Sequence, residues 1–365
     1  MRESIFLRSI SRHRYTLIAL FILALLIGLG WLFSVGSDGS TQMIMETPAA
    51  TDWIEVLFTN PDAPEAGRYR GGPDEALAAA IDQARFSVDV AALDLDLWSI
   101  RDALIAAHQR GVSVRVVVES DNFEVDEIQD LIAAGIDVVQ DRRPSLMHHK
   151  FIVIDRAQVW TGSMNFTVNG AYRNNNNLVH IQSLYVARSY AREFEEMFID
   201  DRFGALSLLD TPYPVIQVGD SRIEVLFSPD DGVMDRVVDL VAQAQDEIVI
   251  MAFALTSDPL AETLLERSAA GVHVTGVVES GQAGNAGSDV DRLQEAGIEL
   301  YLDGNPANMH HKVIILDGSI VITGSYNFSR NAEEFNDENL IILYDPSLAS
   351  RFLLEWERVL AQAVP

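Results

Sequence analysis

Two histidines and two lysines recur at matched positions in this 365-residue chain, within a pattern that is written twice. Both copies read H-x-K-x4-D-x6-G-S-x-N, and they begin at His148 and at His310. The first copy comprises His148, Lys150, Asp155, Ser163 and Asn165, and the second comprises His310, Lys312, Asp317, Ser325 and Asn327. These residue types suit chemistry at phosphorus, because one imidazole can attack or take a proton while the other gives one. The lysines, asparagines and serines could hold the phosphate oxygens that do not react.

The repetition extends well beyond these motifs. Residues 54–58 recur at 223–227, and the segment 111–120 recurs at 271–280 with the same glycine, valine and glutamate positions. A repeat of about 160 residues is far longer than the roughly 20–50 residues of a solenoid unit. The sequence therefore predicts two similar domains in one chain.

The motif histidine and lysine lie two residues apart at the start of an apolar strand. The side chains of His148 and Lys150 therefore point to the same face, and His149 points away. The second copy repeats this arrangement, so each half offers one histidine and one lysine. Two-sided proton chemistry then needs both halves, which predicts one site at a pseudo-two-fold interface. Adjacent histidines on opposite faces do not chelate, so no metal site is expected.

Hydrophobic periodicity places strands and helices in alternation along each half. The expected helices lie at 73–84, 98–108 and 128–134, and the expected strands at 86–93, 112–118 and 151–154. Strands that alternate with helices indicate the α/β class. We expect two similar α/β sandwich domains related by pseudo-two-fold symmetry, preceded by one transmembrane helix.

The N-terminal region has the features of a membrane anchor. Residues 15–37 carry no charged side chain, and at ~1.5 Å per residue they are long enough to span a bilayer. Four arginines precede this stretch and the next basic residue after it is Arg68. By the positive-inside rule, the protein is then a single-pass membrane protein with an extracytoplasmic body. A cleaved signal peptide is the alternative, although its apolar region would be unusually long.

These features predict the organisation of the whole chain. It comprises a cytoplasmic N-terminus 1–14, a transmembrane helix 15–35, a tether 36–53, a first domain 54–205, a linker 206–222 and a second domain 223–365. The linker is inferred from a stretch that carries proline and glycine. We expect a monomer, because the two domains pair within one chain.

Composition narrows the classes of function. The chain has no cysteine, which excludes disulfides, thiolate metal sites and cysteine nucleophiles. Its formal net charge is −28, which disfavours broad contact with nucleic-acid phosphates and adsorption onto anionic lipid surfaces. The local potential in a cleft can differ from this global sum.

The duplicated H-x-K-x4-D motif, with its downstream G-S-x-N, resembles that of the phospholipase D superfamily. The resemblance covers residue 54 to the C-terminus. It implies two motif copies that face each other across one cleft and cleave a phosphodiester through a covalent phosphohistidine, without a metal or organic cofactor. A water or an alcohol then releases the phosphoryl group. The residues to which the resemblance assigns these roles are His148, Lys150, Asn165, His310, Lys312 and Asn327.

The two halves differ at one position of interest. Family members often carry a glutamate 28 positions after the motif histidine, and this glutamate pairs with that histidine. At this position the second half has Glu338 and the first half has Asn176. A carboxylate orients an imidazole and stabilises its cation, whereas an amide only orients it. We therefore predict that Glu338 pairs with His310, that His310 is the nucleophile, and that His148 is the general acid.

Two further pairs of motif residues carry alternative interpretations. Asp155 and Asp317 are candidates for a catalytic role, or each could fix the turn after its strand. Ser163 and Ser325 could bind phosphate or hold the turn.

The predicted function is phosphodiester hydrolysis of the phospholipase D type, with phospholipid as the first substrate class. The tether would concentrate the enzyme at lipid head groups, and the acidic body disfavours nucleic acid. The alternatives are a nuclease with the same chemistry and, after it, a phosphatidyl transferase that uses an alcohol acceptor. A non-catalytic binding module is disfavoured because every core motif residue is present.

Overall fold

The computed structural model describes residues 43–48, 53–285 and 287–364. The predicted cytoplasmic N-terminus, the transmembrane helix and most of the tether lie outside these residues. Within the described ranges, no helix is both long and apolar enough to cross a membrane. The chain from Met43 onward forms one compact unit.

The first half builds one sheet, flanked by helices, from residues 54–198. The short strand β1 (Ile44–Glu46) precedes this sheet and is not part of it. The strands of the sheet are β2 (Ile54–Phe58), β3 (Ser87–Ala92), β4 (Ser113–Val118), β5 (Asp137–Gln140), β6 (Lys150–Ile154), β7 (Gln158–Gly162) and β8 (Asn177–Ile181). Its helices are α1 (Pro73–Asp82), α2 (Trp98–Gln109), α3 (Asp126–Ala133), α4 (Val168–Tyr172) and α5 (Leu184–Phe198).

The second half repeats this order of elements. Its strands are β9 (Val215–Val218), β10 (Ser221–Ser228), β11 (Glu247–Ala252), β12 (Leu255–Thr256), β13 (His273–Val278), β14 (Glu299–Leu302), β15 (Lys312–Leu316), β16 (Ile320–Gly324), β17 (Phe328–Ser329) and β18 (Glu338–Tyr344). Its helices are α6 (Val233–Val241), α7 (Asp258–Ala269), α8 (Ser280–Ala283), α9 (Val290–Glu295), α10 (Arg330–Glu334) and α11 (Pro346–Leu360).

The two main sheets have the same topology. Their strand orders are β2-β8-β7-β6-β3-β4-β5 and β10-β18-β16-β15-β11-β13-β14, with β1 and β9 added at the β10 edge. The motif strands β6 and β15 lie at the centre of their sheets, each between two antiparallel neighbours. The α/β class and the six elements predicted in the first half are confirmed, with ends that differ by about two residues.

Two segments predicted to lack regular structure contain strands. β1, within the predicted tether, pairs in parallel with β9, within the predicted linker, and Ile44 lies opposite Ile216. β9 also pairs with β10, so both short strands extend the second sheet. A strand of three or four residues has too little periodicity to be predicted from sequence, and a neighbouring edge with unpaired backbone groups orders it.

One hydrophobic core is shared by both halves. Alternate residues of β6 face opposite sides: Phe151 and Val153 enter the shared core, whereas Ile152 and Ile154 enter a core of the first half alone. Helices α5 and α11 contribute to the shared core, and α5 contacts strands of both sheets. This packing holds the motif strands at a fixed distance from one another.

Candidate active site

The segments that lead into the two motif strands cross between the halves. Met147 forms a parallel β-bridge with Asp337, and Asn175 forms one with Met309. The backbone N–H of each following histidine donates to the opposite segment at 2.9 Å. These contacts are reciprocal, as a two-fold relation requires, and they place both motif histidines at one junction.

His148, Lys150, His310 and Lys312 lie together at this junction, and all four are buried. Burial lowers the pKa of each residue, and both lysines lower the pKa of both histidines further. These electrostatic effects agree with the reciprocal contacts between the two halves. The structure therefore brings the histidines and lysines that the sequence singled out into a single composite site.

Each motif lysine is anchored to the main chain of its own half. Nζ of Lys150 donates to the carbonyl of His148 at 2.8 Å, and Nζ of Lys312 donates to that of His310 at 3.0 Å. An ammonium group has three donors, so each lysine keeps two for a bound phosphate. Burial lowers the pKa of Lys150 to about 7, and an incoming anion would favour its charged form.

The carboxylate of Glu338 pairs with His148 rather than with His310. Its Oε2 lies 2.6 Å from Nδ1 of His148. Nδ1 of His310 instead lies 3.0 Å from the amide oxygen of Asn176 and 3.1 Å from a main-chain carbonyl. The prediction that Glu338 pairs with the histidine of its own half is therefore wrong.

The β-bridges between the halves explain this crossing. Asp337 lies opposite Met147 in a parallel register, so the next residues along, Glu338 and His148, also meet. A carboxylate stabilises positive charge on an imidazole. The physical argument that favoured His310 as nucleophile therefore favours His148 in the folded chain.

The motif serines hold the groups that orient the histidines. The hydroxyl of Ser325 donates to Oε2 of Glu338, and that of Ser163 donates to Oδ1 of Asn176, both at 2.9 Å. A hydroxyl has one proton, so neither serine can donate to a phosphate while these bonds persist. The prediction that the serines bind phosphate is not supported, and their position is that of a support for the adjacent histidine partners.

Burial dominates the electrostatics of Glu338. It raises the pKa of this carboxyl group to about 7, although Lys150 and Lys312 oppose the shift. Hydrogen bonds from Ser325 and Asn336 also favour the carboxylate. The group therefore titrates near neutrality and can respond to charge that develops on His148.

Asn165 and Asn327 are placed to bind a ligand. Each follows its motif serine by two residues, at the end of β7 and of β16 respectively. Their amide oxygens are buried, and among the described residues neither oxygen has a hydrogen-bond partner. A buried amide without a partner is uncommon in a folded protein and fits a site that awaits a polar ligand.

Asp155 and Asp317 lie at the far ends of the motif strands. The carboxylate of Asp155 accepts hydrogen bonds from the backbone N–H groups of residues 85–87, and that of Asp317 accepts from residues 245–247. Both adopt left-handed φ angles, 54° and 49°. Five strand positions put each aspartate roughly 16 Å from its motif lysine. These contacts favour the alternative interpretation, in which each aspartate fixes the turn after its strand, β6 or β15.

The second histidine of each motif faces away from the site, as predicted. Nε2 of His149 lies 2.9 Å from Glu193, and Nε2 of His311 lies 2.9 Å from Glu355. Sequence reasoning missed both glutamates. The signal that could have found them is the repeat itself, because each follows its histidine by 44 residues.

Different pairs support the histidine partners in the two halves. Arg143 donates to the buried carboxylate of Asp337, next to Glu338. At the equivalent positions of the repeat, Asn305 donates to Oδ1 of Asn175 at 2.6 Å. An ion pair thus lies next to Glu338, the partner of His148, whereas a pair of amides lies next to Asn176, the partner of His310. Neither pair was predicted, because each joins segments that are distant in sequence.

The arrangement can perform two-sided chemistry at a phosphate. One buried imidazole has a carboxylate partner that stabilises its cation, and the opposite imidazole has an amide partner. The two buried motif lysines add cationic donors to the site. A phosphoryl group placed between the imidazoles would meet a nucleophile on one side and an acid on the other.

Comparisons with known proteins agree with this geometry. A family model described as "Cardiolipin synthase, PLD-like domain" matches residues 77–198 and 237–360. A protein named mitochondrial cardiolipin hydrolase, from Chlamydomonas reinhardtii, is 34% identical over 126 residues, which is 34% of this chain and 56% of that protein. A protein named phospholipase D, from Rickettsia bellii, is 32% identical over 40% of this chain and 72% of its own length.

A solved structure matches both halves together. The structure of a phosphatidylserine synthase from Haemophilus influenzae superposes with a TM-score of 0.61 over 85% of this chain and 87% of that chain. Its sequence identity is 13%, so this likeness concerns the fold. The match to the Chlamydomonas reinhardtii protein spans only about half of that protein's length.

Proposed function

Because this chain belongs to the phospholipase D superfamily, we propose that it is a phosphodiesterase that hydrolyses phospholipids. The observation that carries the proposal is the asymmetric pairing of the two buried histidines. His148 has the carboxylate of Glu338, and His310 has the amide of Asn176. This difference gives the two imidazoles distinct roles in one reaction.

In the proposed reaction, Nε2 of His148 attacks phosphorus and forms an N–P bond while the bond to the leaving oxygen breaks. His310 gives its proton to that oxygen, which departs as an alcohol. A water molecule then attacks phosphorus, His310 takes a proton from it, and the N–P bond breaks. Glu338 stabilises the positive charge that His148 carries in the phosphohistidine intermediate.

The protonation of His310 depends on the substrate. Burial and the neighbouring lysines lower the pKa of His310, so its neutral form is favoured in the empty site. A phosphodiester brings a negative charge, which favours the imidazolium and opposes the effect of the lysines. Binding of the substrate would thus favour protonation of His310, the general acid.

Two observations support phospholipid as the substrate. The relatives described above carry the names phospholipase D and cardiolipin hydrolase. The chain has a net charge of −28, which opposes broad contact with a nucleic-acid backbone.

The test is hydrolysis by the full chain in detergent micelles that contain phosphatidylcholine, phosphatidylglycerol or cardiolipin, beside single-stranded DNA, duplex DNA and RNA. We expect release of phosphatidic acid from lipid. His148→Ala and His310→Ala should each lose at least ~10²-fold in rate. His273→Ala removes an exposed histidine of β13 and should retain the activity. Cleavage of nucleic acid without cleavage of lipid would contradict the proposal.

We also propose that residues 15–35 anchor the protein in a membrane with its body outside the cytoplasm. The support is the uncharged stretch and the four arginines before it. A reporter fused after Pro365 should be active only on the outer side. A mature N-terminus mapped near Gly36 would instead establish a cleaved signal.

A further inference from the structure

The connection between β2 and α1 is longer than its counterpart in the second half. It runs over residues 59–72, whereas the connection from β10 to α6 runs over residues 229–232. The long connection begins at Thr59, whose hydroxyl donates to the carbonyl of Asn174 and accepts from the N–H of Asn176, both at 2.7 Å. The insertion is therefore fastened to the residue that orients His310.

This insertion forms one wall of an open cleft of about 460 Å³. Tyr69 of the insertion lines it, with Tyr172 and Arg173 of the first half and Asn305 of the second. Asn305 also donates to the side chain of Asn175, the neighbour of Asn176. The cleft thus lies beside the His310 side of the active site.

Arg173 lines this cleft, and Arg68 and Arg70 flank the lining residue Tyr69 in the sequence. Among the described residues, no carboxylate lies within 4.0 Å of the guanidinium groups of Arg68, Arg70 or Arg173. Within the described part of the chain, the guanidinium of Arg173 donates to two neutral groups, the amide of Asn169 at 3.1 Å and the hydroxyl of Tyr69 at 3.2 Å. All three arginines are exposed. In a chain of net charge −28, exposed arginines without an ion pair among the described residues can attract an anion.

Two acidic residues of the insertion, Asp62 and Glu65, could offset the positive charge of these arginines. Asp62 lines the cleft, but its carboxylate accepts from Gln362 and lies 3.7 Å from Arg358. Glu65 is exposed and makes no ion pair among the described residues.

Two further carboxylates, those of Asp74 and Glu75, lie near Tyr172; Asp74 accepts from the hydroxyl of Ser99, and Glu75 accepts from the backbone N–H of Gly71. Among the described residues, none of these acidic groups forms an ion pair with the three arginines.

An aromatic cluster gives the cleft a rigid wall. The ring of Tyr69 packs edge-on against Trp98 and against Tyr172, with centroids 5.7 Å apart in both pairs. Tyr69 itself adopts a left-handed φ of 56°. Arg68 and Arg70 flank this ring in the sequence.

The other half lacks this chemistry at the matched positions. Phe335 occupies the position that is equivalent to Arg173 in the repeat, and its side chain is 45% exposed. The two sides of the active site thus differ: the His310 side carries a cationic cleft, and the His148 side carries an exposed phenylalanine.

We propose that the cleft binds a second phosphate group, carried by the leaving group of the lipid substrate. The inference rests on the proposed function, in which His310 protonates the leaving oxygen and the leaving group must therefore lie on its side. The phosphate that reacts has its own donors, Lys150 and Lys312, so the arginines serve a different anion. Three arginines are too few to follow a nucleic-acid backbone, whose binding draws on many phosphate contacts, whereas they suit one phosphate.

The test compares two lipids in detergent micelles with the full chain. Cardiolipin has a leaving group that carries a second phosphate, whereas the leaving group of phosphatidylglycerol is glycerol. For Arg68→Gln/Arg70→Gln/Arg173→Gln, we expect the ratio of kcat/KM for cardiolipin to that for phosphatidylglycerol to fall about tenfold, mainly through KM. Arg173→Lys should retain part of the ratio because it keeps the charge. Arg85→Gln removes an exposed arginine beside Asp155, at the far end of strand β6, and should leave the ratio unchanged.

Three outcomes would overturn the inference. An unchanged ratio in the triple variant would show that the arginines do not bind the leaving group. An equal fall of this ratio in Arg85→Gln would show that the effect comes from the overall charge of the protein. A triple variant that loses cleavage of single-stranded DNA but keeps its lipid ratio would make the cleft a nucleic-acid site. Failure of the wild-type chain to hydrolyse any lipid is a distinct result, which would refute the proposed function itself.

Discussion

Nδ1 of His148 lies 2.6 Å from Oε2 of Glu338, so the motif histidine of the first half takes its carboxylate partner from the second half. The opposite histidine, His310, takes the amide of Asn176 from the first half. Each half therefore completes the other, and neither half alone holds a histidine with its partner. The asymmetry of one carboxylate and one amide is what distinguishes the two imidazoles.

This pairing predicts which histidine becomes phosphorylated. With a phosphodiester whose leaving group needs little protonation, such as a nitrophenyl ester, His310→Ala should keep partial activity and accumulate an adduct on His148. His148→Ala should be inactive, because it lacks the nucleophile. Mass spectrometry of the trapped protein locates the adduct. An adduct on His310 would reverse the assignment while leaving the two-histidine reaction in place.

The pH dependence of the reaction should depend on Glu338. Burial raises the pKa of this carboxyl group to about 7, so its charge is lost as the pH falls through that value. The kcat/KM of the wild-type chain should therefore decrease below about pH 7. In Glu338→Gln the remaining titration is that of His148, whose pKa burial holds below its ordinary value. The acid limb should then move to lower pH, and kcat should fall by ~10² because an amide cannot balance the imidazolium.

The pH profile of a matched variant separates this effect from a change in overall charge. Glu334→Gln removes a carboxylate of α10 that pairs with Arg330 at the surface. Its acid limb should coincide with that of the wild type. A limb that stays at the same pH in Glu338→Gln would assign the titration to another group.

The ion pair of Arg143 and Asp337 should be replaceable by the amides that the other half uses. Arg143→Asn leaves the carboxylate of Asp337 buried without its cation, and we expect a loss of ~3 kcal/mol in the free energy of unfolding. Asn at both positions recreates the pair formed by Asn175 and Asn305, so the double variant should recover most of this loss. Urea unfolding of both single variants and the double variant measures the coupling. Simply additive losses would show that the pair does not act as a unit.

Asp155 and Asp317 should affect stability rather than catalysis. In Asp155→Ala, three backbone N–H groups lose their acceptor and a residue with a Cβ and no polar side chain must keep a φ of 54°. We expect a loss of ~2 kcal/mol in the free energy of unfolding, with kcat of the folded protein within about twofold of the wild type. Asp155→Asn should lose less, since it keeps one acceptor and tolerates positive φ. A large fall in kcat at unchanged stability would return a catalytic role to the aspartate.

Hydrolysis should survive chelation of divalent ions. The motif residues supply a nitrogen nucleophile, an acid and cationic groups for the phosphate oxygens, which are the tasks that a metal ion would otherwise perform. Activity in EDTA should equal activity in buffer. Loss in chelator, followed by recovery with one added divalent ion, would require a metal in the reaction.

Much of this architecture can be predicted from the local sequence. The alternation of strands and helices, the duplication and the shared face of His148 and Lys150 follow from periodicity and spacing, which depend on neighbouring residues. The sequence also indicated that one site needs both halves, because each supplies one histidine and one lysine. The period of two residues in a strand and of 3.6 residues in a helix follows from backbone geometry. Both periods can therefore be recognised in a sequence without knowledge of the tertiary structure.

The partners of these residues depend on the tertiary structure. Whether Glu338 meets His310 or His148 depends on the register of the bridge between Asp337 and Met147, which belong to opposite halves of the chain. Packing of two sheets around one core sets that register, and no local period encodes it. The same holds for the cleft beside His310, where an insertion of the first half meets a loop of the second. The residue types of the site were thus determined by the sequence, and their division of labour was decided by which segments pack together.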